Sequence, residues 1–133
     1  MVNTRLSVAI HILSLIAANP RESSEMIAGS VNTNPVVIRR MISQLKKGGI
    51  LTSRPGVAGA TLKRDPEDIS LLDIYRAVQP QEELFAIHDK PNPNCPVGRQ
   101  IQTTLDQTFH SVQQAMENEL ASKSLKDVLT HLF

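Results

Sequence analysis

The fold is decided by residues 34–64, which read NPVVIRRMISQLKKGGILTSRPGVAGATLKR. Asn34 followed by Pro35 predicts a helix start, because asparagine caps free backbone amides and proline suits the first helical position. The residues that follow repeat apolar side chains at helical spacing, with polar and basic side chains on the other face. Gly48 and Gly49 end that pattern, so an amphipathic helix is predicted from Pro35 to about Lys47.

Two short strands are predicted directly after this helix. Residues 50–54 and 60–63 have the composition of strands, and residues 55–59 between them contain one proline and two glycines, which is typical of a turn. Two strands joined by a glycine-containing tip form a hairpin. A hairpin in this position, directly after an amphipathic helix, is called a wing.

Two more helices are predicted upstream of this stretch. Apolar residues repeat at helical spacing over 5–18, and the pattern ends at Asn19 before Pro20. Ser23 or Ser24 then caps a short second helix that stops near Gly29. Three helices followed by a hairpin predict a mainly α fold, a winged helix-turn-helix domain with a two-stranded wing.

The second half of the chain is predicted to be helical as well. Ser70 and Asp73 match a capping box, and Ser124 and Asp127 match another. A short helix is predicted at 82–86, a proline-rich loop at 88–96 and a long helix at about 97–121. We therefore divide the chain into the winged helix-turn-helix domain (1–66), connecting helices and the Pro-rich loop (67–96), and the long helix with a short C-terminal helix (97–133).

The basic residues of this nearly neutral chain are concentrated in one segment. The formal net charge is +1, yet no acidic residue lies between Glu25 and Asp65, where seven of the fourteen Lys and Arg residues are found. A surface of this kind attracts a polyanion, because each cation that neutralises a phosphate releases counterions. A solvated basic surface without a partner is the alternative. The seven residues are Arg39, Arg40, Lys46, Lys47, Arg54, Lys63 and Arg64.

Because these basic residues lie in a predicted winged helix-turn-helix domain, double-stranded DNA is the polyanion that we expect it to bind. In helix-turn-helix proteins the recognition helix enters the major groove, and its N-terminal residues reach the base edges. Arg39 or Arg40 could read a guanine edge or hold a phosphate, and phosphate contacts are the commoner. The residues predicted at the groove are Asn34, Pro35, Val36, Arg39 and Arg40.

The remaining basic residues are predicted to contact the DNA backbone or the minor groove. Lys46 and Lys47 lie at the end of the helix, where a cation also favours the helix dipole. Arg54 near the wing tip could enter a narrow minor groove. Lys63 and Arg64 could hold the flanking phosphates.

The long helix carries one narrow apolar seam, which needs a surface to pack against. Pairing with the same helix of a second chain would bury the seam and place two DNA-binding domains about one DNA turn apart. Packing on the first helix of its own chain is the alternative. The seam residues, which predict a homodimer interface, are Val97, Ile101, Leu105, Phe109, Val112, Met116 and Leu120.

Several classes of protein are excluded by the sequence. Its longest apolar stretch is too short to cross a membrane, and its N-terminus does not read as a signal peptide, so a cytoplasmic protein is expected. It has no phosphate loop, nucleophile elbow or paired-histidine motif, so no enzyme is expected. A winged-helix adaptor that binds protein instead of DNA is the alternative function, although an adaptor has no need for the acid-free segment.

The ordered set of segments resembles the Rrf2 family of bacterial winged helix-turn-helix transcription regulators. The resemblance lies in residues 34–41, 45–51 and 69–75, the glycine-containing wing, and the segment from Cys95-Pro-Val-Gly to Leu125-Lys-Asp-Val-Leu. It covers nearly the whole chain. It implies a homodimer that represses or activates transcription, crossed through the long C-terminal helix, and we predict a repressor.

The chain departs from the family pattern in its cysteines. Cluster-binding members carry three cysteines in the loop before the long helix, whereas this chain has only Cys95. One thiolate does not supply the ligand set of an iron–sulfur cluster, even with His88 and Asp89 nearby. No cofactor and no metal are therefore expected. The wing tip, Gly56-Val57-Ala58-Gly59, also has fewer glycines than is usual in the family.

Two hypotheses about the signal remain open at the level of sequence. Cys95 could act as a redox sensor, because Arg99 or the following helix would favour its thiolate; the alternative is an inert cysteine. A small-molecule effector could bind between the wing domain and the long helix. The sequence specifies neither the effector nor the operator.

Overall fold

The computed structural model describes residues 4–79, 85 and 87–133. The described part has a mainly α architecture with one two-stranded antiparallel sheet. The short helix predicted at 82–86 lies outside the described residues, except for Phe85. In chain order the elements are α1 (Arg5–Ala18), α2 (Ser24–Val31), α3 (Pro35–Lys47), β1 (Leu51–Thr52), β2 (Thr61–Leu62), a 3-10 turn (Pro66–Asp68), α4 (Leu71–Val78), α5 (Pro96–Ala121) and α6 (Leu125–Leu132).

Helix α3 begins and ends where the sequence predicts. The Asn34 side chain accepts a hydrogen bond from the backbone N–H of Val37 at 3.0 Å, and Pro35 occupies the first turn. At the other end Gly49 has a φ of 76°, a left-handed conformation that glycine adopts at little cost. The backbone N–H of Ile50 then returns to the carbonyl of Leu45 at 3.0 Å, which closes the helix.

The wing is present, but its strands are shorter than the predicted 50–54 and 60–63. The strands pair Leu51 with Leu62 and Thr52 with Thr61, and beside them the backbone N–H of Lys63 donates to the carbonyl of Ile50 at 2.9 Å. The reason is a tertiary contact, because the carbonyl of Ala60 accepts a hydrogen bond from the backbone N–H of Arg21 at 3.0 Å. The hairpin therefore leaves the ladder early and is held against the loop between α1 and α2.

The core of the winged domain lies between α1, α3 and α4. Fully buried side chains from these helices, among them Ile12, Leu13, Ile38, Leu45 and Ile74, form one apolar cluster. Because the apolar face of α3 packs in this core, the basic face on the opposite side of the helix points outward. The core thus fixes which side of α3 is available to a ligand.

The chain returns to the winged domain after the long helix. Ser70 and Ser124 face each other in an antiparallel bridge, and Leu125 is completely buried in the core. Both predicted capping boxes, Ser70 with Asp73 and Ser124 with Asp127, are formed. Among the helices of the described part, none is both long and apolar enough to cross a membrane.

Candidate nucleic-acid interface

The outward face of α3 presents four basic side chains together. Arg39, Arg40, Lys46 and Lys47 are exposed, whereas the intervening Met41 is buried in the core. The alternation follows from the 3.6-residue period of the helix, which separates the apolar and basic positions into two faces. The structure therefore brings these predicted contacts onto one surface.

At the start of α3, the capping residue Asn34 is followed by three residues with apolar side chains. The Oδ1 atom of Asn34 is occupied by the backbone of Val37, and Pro35 is half-buried. Val36 is 58% exposed, so its methyl groups are available to an apolar partner such as a thymine methyl. Val37 packs against the core, as its position in the apolar stripe predicts.

The wing lies beside α3 and contributes two exposed cations. Arg54 and Lys63 both reach solvent, and every residue from 52 to 59 is exposed. Between the start of α2, the outer face of α3 and the wing lies a cleft of about 400 Å³, whose lining includes Glu25, Arg39 and Lys46. Helix α3 and the wing thus form a continuous surface.

Arg64 differs from the other predicted basic contacts, because it is half-buried and has two partners within the chain. Its Nη2 atom lies 3.5 Å from Oδ2 of Asp73, and its Nη1 donates to the carbonyl of Asp68 at 3.3 Å. Its side chain is only 37% exposed. Arg64 therefore ties the end of the wing to the start of α4.

Glu25 is a residue of this surface that sequence reasoning missed. Its Oε1 atom accepts a hydrogen bond from Nη2 of Arg39 at 3.0 Å, across the turn between α2 and α3. The signal available in the sequence was its position as the last acid before the acid-free segment. The spacing of fourteen residues gave no reason to pair it with Arg39 in particular.

The seam of α5 is only partly covered by the described residues of its own chain. None of the twenty-six residues of α5 is buried, and Val97 and Val112 are exposed. Among the described residues, the helix packs against α4, where Arg76 and Glu117 form an ion pair at 2.9 Å. The half-buried seam positions are Ile101, Leu105, Phe109, Met116 and Leu120.

A small cleft of the described part lies beside the long helix, but no residue of the wing domain, against which the effector was predicted to bind, lines it. Phe85 and Phe109 lie with their ring centroids 5.2 Å apart, and with His110 and Gln113 they line a space of about 100 Å³. Pockets that enclose small organic ligands are usually several times larger, on the order of 300 Å³ or more. The effector stays a prediction.

Comparison with known proteins matches the whole architecture to one family. The model of the Rrf2 family, described as an iron-dependent transcriptional regulator, matches residues 2–131. The chain belongs to the Rrf2 family. It is 73% identical to YwnA of Bacillus subtilis (strain 168), which is named as an HTH-type transcriptional regulator, over 133 residues and 100% of both chains.

Solved structures agree with this membership of the Rrf2 family. A crystal structure described as that of a DNA-binding protein has 67% identity and a TM-score of 0.80, and covers 94% of this chain and 98% of its own. A transcriptional regulator from Lactobacillus plantarum has 26% identity and a TM-score of 0.82, covering 97% and 89%. T. potens IscR, at 21% identity and a TM-score of 0.70 over 100% and 88%, shows the same fold. The named relatives are transcription regulators and not enzymes.

The family description names iron, and the cluster-binding motif of three cysteines is one donor set that would hold it. The chain has one cysteine, so the three-cysteine motif is absent. Among the described residues, the one group of potential ligands close enough to share an ion is Asp65, Glu67 and Asp68, which are all exposed and carry no thiolate. Cys95 is exposed at the start of α5 and lies outside that group. The residues present do not fit an iron–sulfur cluster.

Proposed function

We propose that this Rrf2-family protein reads double-stranded DNA as a homodimer, with α3 in the major groove and the wing, residues 54–64, near the minor groove. The observation that carries the proposal is the exposed basic face of α3, whose opposite face is locked into the core. A groove-reading helix needs this division, because the buried face fixes its orientation while the other face reaches the bases.

The distribution of charge supports DNA and not a protein partner. Arg40, Lys46, Lys47, Arg54 and Lys63 are all exposed, and they lie within a segment that contains no acid. Attraction to phosphates favours the binding of such a surface to any duplex, whereas base contacts favour binding only at the correct sequence. We therefore assign most of these cations to the backbone and the start of α3 to the bases.

The partly exposed seam of α5 supports a dimer. No residue of this apolar stripe is fully buried, and covering the part that stays exposed to water with a matching surface would be favourable. A second copy of the same stripe supplies that surface through a two-fold axis. The two-fold axis would give two α3 helices, suited to an operator with two half-sites.

Repression is the mode of regulation that we propose, and the cytoplasm is where a DNA-reading protein of this kind would act. A dimer seated on a promoter occupies two half-sites and excludes other proteins from them. A reporter gene under the protein's own promoter should then be expressed more strongly in cells that lack the protein. Weaker expression in those cells would show an activator.

The direct test of DNA reading is fluorescence anisotropy with the purified protein. A duplex of its own promoter region is compared with an unrelated duplex of equal length, over a series of salt concentrations. We expect promoter-selective binding that weakens steeply with salt. Failure to bind either duplex, even at low salt, would contradict the proposal and favour a winged-helix adaptor.

A further inference from the structure

Glu25 is close enough to Arg39 to restrain the orientation of its guanidinium group and to offset its charge. It lies in the first turn of α2, and its Oε1 atom holds Nη2 of Arg39 at 3.0 Å. Both side chains are exposed, at 67% and 56%, so the pair lies on the surface and not in the core. An exposed ion pair of this kind contributes little to folding. The pair therefore has no strong structural reason to be present.

The hydrogen bond occupies only part of the Arg39 guanidinium. One carboxylate oxygen meets one terminal nitrogen, and the other N–H donors of the planar group stay available to an incoming acceptor. Two such donors match the O6 and N7 atoms of guanine, and this bidentate contact is the commonest specific contact of arginine with a base. The pair can therefore persist while Arg39 reads a base edge.

A phosphate places a different demand on Arg39. Attraction to the backbone depends on charge, and the carboxylate of Glu25 offsets the charge of Arg39 locally. Glu25 would also be repelled by a phosphate that approached the guanidinium. If Arg39 contacted a phosphate, the Glu25–Arg39 ion pair would have to break, or the phosphate would have to lie beside the Glu25 carboxylate. The penalty is smaller at a base edge, because its acceptor atoms carry no formal charge.

We propose that Glu25 is a positioning residue that determines specificity, because it aims Arg39 at a guanine edge and withholds it from phosphates. This inference rests on the proposed function, since it concerns the same face of α3. It predicts that the carboxylate weakens binding to unrelated DNA and strengthens discrimination. Glu25 would act through Arg39 and need not touch the DNA itself.

The test uses Glu25→Gln, which removes the charge but keeps the length and shape of the side chain. Affinities are measured for the promoter duplex and for a scrambled duplex of the same composition, across a salt series. We expect tighter binding to the scrambled duplex, a selectivity ratio lowered by about fivefold or more, and a salt slope steeper by about one for that duplex. Equal melting temperatures of the two proteins show that folding is unaffected.

Glu22→Gln is the matched control, because Glu22 lies three residues earlier and loses the same charge, whereas its Oε1 atom accepts from the backbone of Ser23. We expect this variant to shift both duplexes equally and to leave selectivity unchanged. An equal loss of selectivity in Glu22→Gln would overturn the proposal, since general charge would then explain the effect. Unchanged selectivity in Glu25→Gln would also overturn it.

A double-mutant cycle with Arg39→Ala separates this inference from the proposed function. If Glu25 acts through Arg39, Glu25→Gln changes selectivity in the wild-type background and has almost no effect in the Arg39→Ala background. An equal effect in both backgrounds overturns the positioning role while leaving DNA reading intact. If the wild-type protein shows no selectivity for the promoter at all, it is the proposed function that fails.

Discussion

Ser70 and Ser124 lie opposite each other in an antiparallel bridge, although they are fifty-four positions apart in the chain. Each is also the N-cap of a helix, with a capping box completed by Asp73 and Asp127 respectively. The backbone N–H of Leu125 donates to the carbonyl of Ile69 at 2.8 Å, which completes the junction. The end of the long helix is thereby joined to the winged domain beside the start of α4, so the position of α5 and that of α3 are linked through the core.

Loss of the second cap should weaken this junction. Ser124→Ala removes the acceptor for the backbone N–H of Asp127, and we expect the free energy of unfolding to fall by about 1 kcal/mol. Ser111→Ala is the control, because Ser111 is exposed in the middle of α5, where alanine is a better helix former. Urea denaturation measures both variants. Equal stabilities would show that the cap does not hold the junction.

Two glycines of the wing should differ in their tolerance of alanine. Both have positive φ, 76° for Gly56 and 85° for Gly59, so both substitutions introduce backbone strain. A Cβ atom on Gly59 would also meet the carbonyl oxygen of Arg21 at 2.5 Å, whereas on Gly56 it would meet nothing within 4 Å. We expect Gly59→Ala to be more destabilising than Gly56→Ala by about 1–3 kcal/mol in thermal unfolding. A smaller effect at Gly59 would mean that the wing is not held against Arg21.

The ion pair between α4 and α5 should make stability depend on pH. The hydrogen bond from Arg76, with a second from Gln113, lowers the pKa of Glu117 from its ordinary value of 4.5. The unfolded chain then binds this proton more readily than the folded one. The stabilisation is therefore complete above about pH 4.5 and is lost as the pH falls through the folded pKa.

Glu117→Gln measures this contribution. The melting temperature of the variant should lie below that of the wild type at neutral pH, and the gap should narrow as the pH falls below 4.5. Glu119→Gln is the control on the same helix, because within the described residues Glu119 forms its ion pair with the exposed Lys123, four residues on. A gap for Glu117→Gln that stays constant down to pH 3 would contradict the assignment.

A charge in the proposed seam should prevent the two chains from pairing. Val112 is 42% exposed in the single chain, and Val112→Glu would bury a carboxylate at a two-fold interface. We expect a monomer in sedimentation analysis and loss of tight binding to the promoter. Thr103→Glu, an exposed position of α5 outside the seam, should leave the assembly intact. A dimer of Val112→Glu with wild-type stability would exclude the seam as the interface.

Local features of this fold could be predicted from sequence, and long-range ones could not. The bounds of α3 follow from Asn34, Pro35 and the glycine pair, and both capping boxes follow from a serine three residues before an aspartate. In contrast, the strands of the wing were predicted too long, because nothing near Ala60 in the sequence indicates that its carbonyl is bonded to Arg21.

The same distinction holds for the candidate site. Which basic residues are outward on α3 follows from helical periodicity, and their exposure bears this out. The engagement of Arg64 with Asp73 and of Arg39 with Glu25 depends on how the helices pack, so charge counts alone treated all seven cations alike. The contacts to DNA and between chains stay predictions.

The measurement that tests the central claim most directly compares Arg40→Ala with Arg99→Ala in anisotropy titrations on the promoter duplex. Both arginines are exposed, but Arg40 lies on the outward face of α3 and Arg99 lies near the start of α5. If α3 enters the groove, Arg40→Ala should weaken binding by about tenfold, and Arg99→Ala should bind as the wild type does. Equal affinities of the two variants would contradict the placement of α3 on DNA.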